Sequence, residues 1–142
     1  MQTIENKKGN KGFIIGYWNT STFETDGISD NKVKVYIAEV EVMSCGKKQM
    51  TLMEKVHNTM SKTFHNPDKP IYVTLADATE AAQVLVDEWY ERSIERAPKS
   101  LESFRNAYSH FDWWPENEAK RLAFIEDLKN RAFPLEIVNK YA

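Results

Sequence analysis

His110 and Asp112 are the residues whose types and spacing come closest to an acid–base pair. A carboxylate placed beside an imidazole can orient it for proton transfer, as in a catalytic triad. No motif singles out a nucleophile that would complete such a site. A histidine close to the end of a helix is also stabilised by the helix dipole without any catalytic role. We therefore predict that the protein is not an enzyme, and a small enzyme using His110 and Asp112 is kept as an alternative.

Metal and cofactor sites are not expected. His57 and His65 are eight residues apart, whereas two metal ligands on one helix usually lie one turn apart. Cys45 is the single cysteine, which excludes an internal disulfide and a metal site built on several cysteines. A lone cysteine at the end of a strand is most often a small buried apolar residue. The glycines show no phosphate-binding spacing, so we predict no metal and no cofactor.

Two groups of residues are candidates for binding another protein. The first is an acidic row on the outward face of a predicted helix, where like charges four residues apart repel each other. A basic partner could offset this repulsion, although a solvated helix face explains the row equally well. The second is a pair of adjacent tryptophans before Pro115, one of which could be an exposed anchor. Packing of both rings over the helical core explains the pair equally well. The candidates are Asp87, Glu88, Glu91, Glu95, Trp113 and Trp114.

Lysines in the first half of the chain suggest nucleic-acid binding as the alternative. Residues 1–76 contain ten lysines and no arginine, so bidentate arginine contacts to bases are not expected there. Aromatic residues near the lysines could stack on bases. Charged residues on strand edges also protect against aggregation, which is the commoner explanation. The candidate nucleic-acid-binding residues are Lys32, Lys34, Lys47 and Lys48, with Tyr17, Trp18 and Tyr36 for stacking.

The totals fit one intracellular domain. The chain has 142 residues and a net charge of −2, a length typical of a single domain. No apolar run approaches the roughly 20 residues that a membrane span needs. A single cysteine is typical of proteins from a reducing compartment. We therefore expect a cytoplasmic protein without a membrane partner.

The first half of the chain is expected to form strands and one helix. Residues 13–18 and 32–43 carry the apolar patterns of strands, joined by a long loop over 19–31. The alternation in 32–43 changes phase near Tyr36, which indicates a β-bulge or a change of sheet environment. Thr51 and Glu54 have the spacing of a capping box. They predict a helix over 52–65 with an apolar stripe, followed by a strand over 71–75.

The second half is expected to form separate helices bounded by Pro98, Pro115 and Pro134. Asp77 and Glu80 have the spacing of a second capping box and predict a helix over 78–97. The buried face of this helix is expected to include Leu85, Val86 and Trp89. Further helices are expected from Ser100, from Pro115 to about Arg131, and as a last turn over 135–141.

These elements predict an α+β fold. The expected order is β-β-α-β-α-α-α, with a small mixed or antiparallel sheet of three to four strands packed against a C-terminal helical unit. The whole of 1–142 is expected to be a single domain, with a flexible basic arm over 1–11, a sheet-rich half over 12–75 and a helical half over 77–142. We predict a protein that binds another protein with a basic surface, such as an inhibitor or immunity-type factor of a nuclease or toxin.

Overall fold

A computed structural model describes residues 2–19, 33–56, 59–132 and 135–140. The fold is α+β, as predicted. Nearly all of the expected loop over 19–31 lies outside the described residues, as do Pro134 and Tyr141. The elements in chain order are β1 Lys11–Asn19, β2 Val33–Cys45, β3 Met50–Val56, β4 Thr59–His65, α1 Leu75–Tyr108, α2 Trp114–Lys129 and β5 Glu136–Asn139.

The chain divides into two compact units. Unit 1 contains Met1–Trp18, Lys34–Val84 and Glu136–Ala142, and unit 2 contains Asn19–Val33 and Leu85–Leu135. The sheet belongs chiefly to unit 1. Most of α1 and all of α2 belong to unit 2. The expectation of a single domain stays a prediction.

Strand β2 organises the sheet because it pairs with three other strands. The order is β1-β2-β3-β4, and β5 also pairs with β2. Strand β3 is antiparallel to the second half of β2, from Val40↔Glu54 to Cys45↔Met50. Strand β5 is parallel to the first half, from Lys34↔Glu136 to Ile37↔Asn139. The sheet is therefore mixed, and the last described segment, expected as a helical turn, is a strand.

The predicted phase change in β2 is present and coincides with the change of partner. Ile37 and Ala38 are consecutive and both buried, although successive side chains in a strand point to opposite faces. Ile37 is the last residue paired with β5, and Val40 is the first paired with β3. Burial thus moves from one face of β2 to the other as the strand changes neighbours.

The predicted helix over 52–65 is wrong, because these residues form the hairpin of β3 and β4. Seven residue pairs join the two strands, from Met50↔His65 to Val56↔Thr59. Burial along β3 alternates, with Met50, Leu52 and Glu54 buried. Met60 and Phe64 of the expected apolar stripe instead lie exposed on β4, on one face because they are four residues apart. The helix that could have connected the strands over 32–43 and 71–75 as a parallel crossover is therefore absent from this part of the chain.

The N-terminal segment, expected as a loose arm, is hydrogen-bonded to unit 1. The Ile4 amide donates to the Ile71 carbonyl at 2.8 Å, and the Gly9 amide donates to the Val42 carbonyl at 2.8 Å. Tyr72 forms isolated bridges with both Thr3 and Phe13. The strand predicted over 71–75 is thus reduced to a bridge between the N-terminal segment and β1.

One face of the sheet carries the apolar core of unit 1. It includes buried residues of β1, β2 and β3 together with Ile71, and Ile4 packs against it. The N-terminal segment and the segment before α1 therefore cover this face. The core residues are Ile14, Ala38, Val40, Val42, Met50, Leu52 and Ile71.

A charged pair with a buried carboxylate and a half-buried lysine lies beside this core. Glu54 is only 5% exposed, and the Lys140 Nζ lies 2.6 Å from its Oε1. The same Nζ lies 4.5 Å from the centre of the Tyr36 ring, a cation–π contact. Burial raises the pKa of Tyr36, as does the charge of Glu54, while the charge of Lys140 opposes the increase.

Helix α1 begins earlier and ends later than predicted. The Asp77 amide donates to the Thr74 Oγ1 at 3.1 Å, so Thr74 caps the helix in place of Asp77. Pro98 lies inside α1 and does not end it, contrary to the prediction. Packing on both sides of the proline explains this, because Ala97, Leu101 and residues of α2 share one apolar cluster. Neither described helix is apolar enough over a sufficient length to cross a membrane.

The buried face of α1 differs in part from the prediction. Val86 is buried as expected, but Leu85 is 44% exposed, and Trp89 is half-buried. Tyr90 is buried in its place and contacts the Trp89 ring edge-on at 5.7 Å. The buried residues in this part of α1 recur every four positions, at Ala78, Ala82, Val86 and Tyr90. The buried face therefore includes Tyr90 in place of the predicted Trp89.

Helix α2 begins as predicted, with Pro115 in its first turn. It forms a hairpin with the second half of α1 inside unit 2. Leu101, Trp114 and Ile125 make a buried cluster, and Phe104 packs against it. The Arg121 guanidinium lies 3.6 Å from the centre of the Phe104 ring, and Arg105 pairs with Glu118 across the hairpin.

We expect Gly16→Ala to destabilise the protein by about 1–3 kcal/mol, as overpacking does elsewhere. An added Cβ would lie less than 3.0 Å from three atoms of Tyr36, whose ring covers this glycine. At an ordinary strand position the same change would increase stability. Urea denaturation measures the difference.

The control introduces Gly16→Ala into a Tyr36→Ala background, where the ring is absent. The cost of the alanine should disappear there. An equal cost in both backgrounds would contradict the contact with Tyr36.

Candidate functional site

The structure separates the two adjacent tryptophans. Trp114 is 5% exposed and belongs to the apolar cluster of the helical hairpin. Trp113 is 45% exposed. The sequence left open whether these residues are core or surface, and the structure assigns one to each. Trp114 is therefore a structural residue, and Trp113 remains a candidate for binding.

Three exposed aromatic rings meet where α1 and α2 join. Tyr108, Phe111 and Trp113 are each between 40% and 45% exposed. The Phe111 and Trp113 rings are stacked, with centroids 5.3 Å apart and planes at 11°. The Tyr108 ring lies 5.8 Å from the Trp113 ring and 6.1 Å from the Phe111 ring. We call these three residues the aromatic tip.

The backbone of the connection fixes the aromatic tip. The Phe111 amide donates to the Tyr108 carbonyl at 3.1 Å, and the Trp114 amide donates to the Phe111 carbonyl at 3.0 Å. These two turns reverse the chain between the helices. Trp114 is anchored in the core, whereas the ring of its neighbour Trp113 is largely exposed. The two rings contact each other edge-on, with centroids 6.3 Å apart. The exposed rings are thus held by hydrogen bonds and a buried anchor.

The aromatic tip lies in an acidic stretch of the chain. Residues 101–118 contain four acidic residues and one arginine. That arginine, Arg105, pairs with Glu118. Asp112 and Glu116 are exposed beside the aromatic rings in sequence. A cationic group approaching the rings would therefore meet negative charge as well as aromatic faces.

The predicted acidic row is not an isolated patch of negative charge. Asp87 pairs with Arg131 through Oδ1 and Nη1 at 2.9 Å. Glu88 lies 4.0 Å from Arg92, and Glu95 lies 3.9 Å from Lys99. Exposed pairs of this kind contribute at most about 1 kcal/mol each to stability. They do reduce the net charge that a partner would meet.

The acidic row and the aromatic tip are also far apart. Glu91 and Tyr108 lie 17 residues apart on α1, which corresponds to about 25 Å along a helix. The structure therefore does not bring the two predicted binding groups together. The aromatic tip is the better candidate because its rings are both exposed and fixed in position.

The candidate lysines do not converge on one surface. Lys34 is at the start of β2 and lies 3.5 Å from Glu136. Lys47 and Lys48 are exposed beyond Cys45, at the other end of β2. The strand from Lys34 to Cys45 is about 36 Å long at the usual rise per residue. Lys32 and the Trp18 side chain are outside the described part of the chain. Tyr36 is covered by Lys140 on its ring, so it does not offer a free face there.

The residues considered for catalysis and metal binding lie in three different parts of the chain. His110 and Asp112 are exposed, and His110 contacts the Phe111 ring at 4.3 Å. His65 bonds to the Lys69 carbonyl at 3.0 Å, and His57 lies outside the described residues. Cys45 is exposed, contrary to the expectation of a buried residue, and its Sγ donates to the Asn6 carbonyl at 2.7 Å. In the described ranges no three His, Cys, Asp or Glu residues are grouped to hold a metal.

Sequence reasoning missed both Tyr108 and Phe111 as binding residues. The signal that could have identified them is the short spacing of four aromatic residues across a helix junction, Tyr108, Phe111, Trp113 and Trp114. A junction of that length has little space to bury more than one large ring.

Comparison of the chain with protein-family models, with curated proteins and with solved structures finds no match.

We expect Trp114→Ala and Trp113→Ala to differ strongly in stability. Trp114→Ala should cost about 3–5 kcal/mol, because it removes a buried ring from the hairpin core. Trp113→Ala should cost less than about 1 kcal/mol, because its ring is largely in water. Urea denaturation followed by circular dichroism measures both. Equal losses would show that the two residues do not divide between core and surface.

Proposed function

We propose that the protein binds another protein through the aromatic tip, and that the partner's contact surface carries arginine or lysine side chains. The observation that supports this is a set of three neighbouring rings at 40–45% exposure, of which Phe111 and Trp113 are stacked and Tyr108 lies tilted against both. Rigid aromatic side chains bury a large area on binding at little cost in conformational entropy. Tryptophan and tyrosine are accordingly enriched among the residues that dominate binding energy.

The chemistry of the partner follows from the charges around the rings. Asp112 and Glu116 give the region a negative charge, which attracts cations and speeds association. A guanidinium group can stack on an exposed indole or phenol ring. Nucleases and other proteins that contact nucleic acid have such cationic surfaces. An inhibitor or immunity-type factor of a nuclease or toxin is therefore the specific role that we propose.

The proposed location is the cytoplasm. The single cysteine is exposed as a free thiol, and proteins with free thiols and no disulfide are typical of reducing compartments. The partner is expected in the same compartment or to enter it.

The test is capture of partners from the native cell by the immobilised protein, followed by calorimetry with the purified partner. We expect the double variant Phe111→Ala and Trp113→Ala to weaken binding at least about 30-fold, the loss of a single strong hot spot. Tyr17→Ala is the matched control, since Tyr17 is an aromatic residue that is 72% exposed in the other unit.

The control variant should bind as the wild type does. Asp112→Lys combined with Glu116→Lys should slow association, most clearly at low salt. A partner held equally by the double variant and the wild type would contradict the assignment of the aromatic tip.

A further inference from the structure

We propose that β4 is a second docking site, which takes an extended segment of another protein with the pattern apolar–x–acidic–x–apolar. It belongs to unit 1, whereas the aromatic tip belongs to unit 2. The inference does not rest on the proposed function of the aromatic tip. Either one can fail without the other.

Strand β4 lies at the edge of the sheet. Among the strands that the structure describes it is the last in the order, and its pairing is with β3. Two residues separate Val56 from Thr59, a spacing in which the flanking pair is hydrogen-bonded. Hydrogen-bonded and non-bonded pairs then alternate along the hairpin. The backbone groups of Met60, Lys62 and Phe64 are therefore directed outward, where an added strand can pair with them.

The outer strand has the features of a binding edge. It is seven residues long without proline or glycine, and five of the seven residues are exposed. Met60 is 52% exposed and Phe64 is 64% exposed, on the same face as Lys62. Long flat edges with exposed apolar residues are sites of strand addition. Alternate side chains on one face give such sites their specificity.

Lys62 determines the chemistry of the occupant. On the same face Lys55 lies opposite Glu39, and their charged atoms are 3.9 Å apart. Lys62 lies opposite Met53, and the described residues provide no ion pair for it. Because β4 is at the edge of the sheet, the residue opposite Lys62 on its other side would belong to an added strand. An acidic residue there would complete for Lys62 the cross-strand pair that Lys55 already has.

The same charge disfavours a second copy of the chain. Antiparallel pairing of two β4 strands centred on Lys62 would place one ammonium directly opposite the other. Like charges at such positions are destabilising. Apolar residues on either side of the acidic residue would instead lie opposite Met60 and Phe64. A segment of a different protein therefore fits this edge better.

The probe is the fluorescein-labelled peptide TVTETVT, with TVTKTVT as its matched control, and binding is followed by fluorescence anisotropy. We expect the wild type to bind the glutamate peptide at least about tenfold more tightly than the lysine peptide. Lys62→Glu should reverse this preference. Because Lys62 is exposed, the variant should keep its fold, which circular dichroism checks.

A second measurement tests the mode of binding. Methylation of alternate backbone nitrogens in the glutamate peptide should abolish binding, since it removes the donors that pair with β4. Amide NMR shifts should concentrate on Met60, Lys62 and Phe64. Absence of binding, equal binding of both peptides, shifts elsewhere in the chain, or a dimer formed through β4 in solution would each overturn the proposal.

Discussion

The ion pair of Glu54 and Lys140 constrains the arrangement of unit 1. A buried charge without a partner costs several kcal/mol, so the buried Glu54 carboxylate requires a cation beside it. Glu54 is fixed by the pairing of β3 with β2 and β4. Lys140 directly follows β5, and its amide bonds to the Ile37 carbonyl at 2.9 Å. Its ammonium lies against the Tyr36 ring, which covers Gly16. The contacts therefore join β1, β2, β3 and β5 on one face of the sheet.

Local signals in the sequence were sufficient for some elements. The apolar runs of β1 and β2 predicted both strands, and Pro115 predicted the start of α2. The hairpin of β3 and β4 was missed because Thr51 and Glu54 also have the spacing of a capping box. Glu54 is buried on the core face of β3 with Lys140, 86 residues later in the sequence, beside it. No local pattern reports such a contact, and the same is true of the packing that carries α1 through Pro98.

The candidate site was predictable in part. Adjacent tryptophans at a helix junction left open whether either ring is exposed, and the structure identifies Trp113 as the exposed one. The acidic row was predicted from its charges, and the structure pairs three of its four carboxylates, those of Asp87, Glu88 and Glu95, with nearby cations. Both proposed surfaces combine exposed apolar side chains with a local charge. The charge is acidic at the aromatic tip and basic at β4, so the two surfaces would select different partners.

A double-mutant cycle on Glu54 and Lys140 tests the central constraint most directly. The variants are Glu54→Gln, Lys140→Met and the two combined, and urea denaturation gives the free energy of unfolding. Lys140→Met should cost about 3–5 kcal/mol, because it leaves the buried Glu54 carboxylate unpaired. Glu54→Gln should cost less, because the Lys140 ammonium is partly exposed to water. The combined change should cost at least about 1.5 kcal/mol less than the two losses together. The exposed pair Lys34–Glu136 is the control, with an expected coupling below about 1 kcal/mol. Additive losses for Glu54 and Lys140, within about 0.5 kcal/mol, would contradict this account of unit 1.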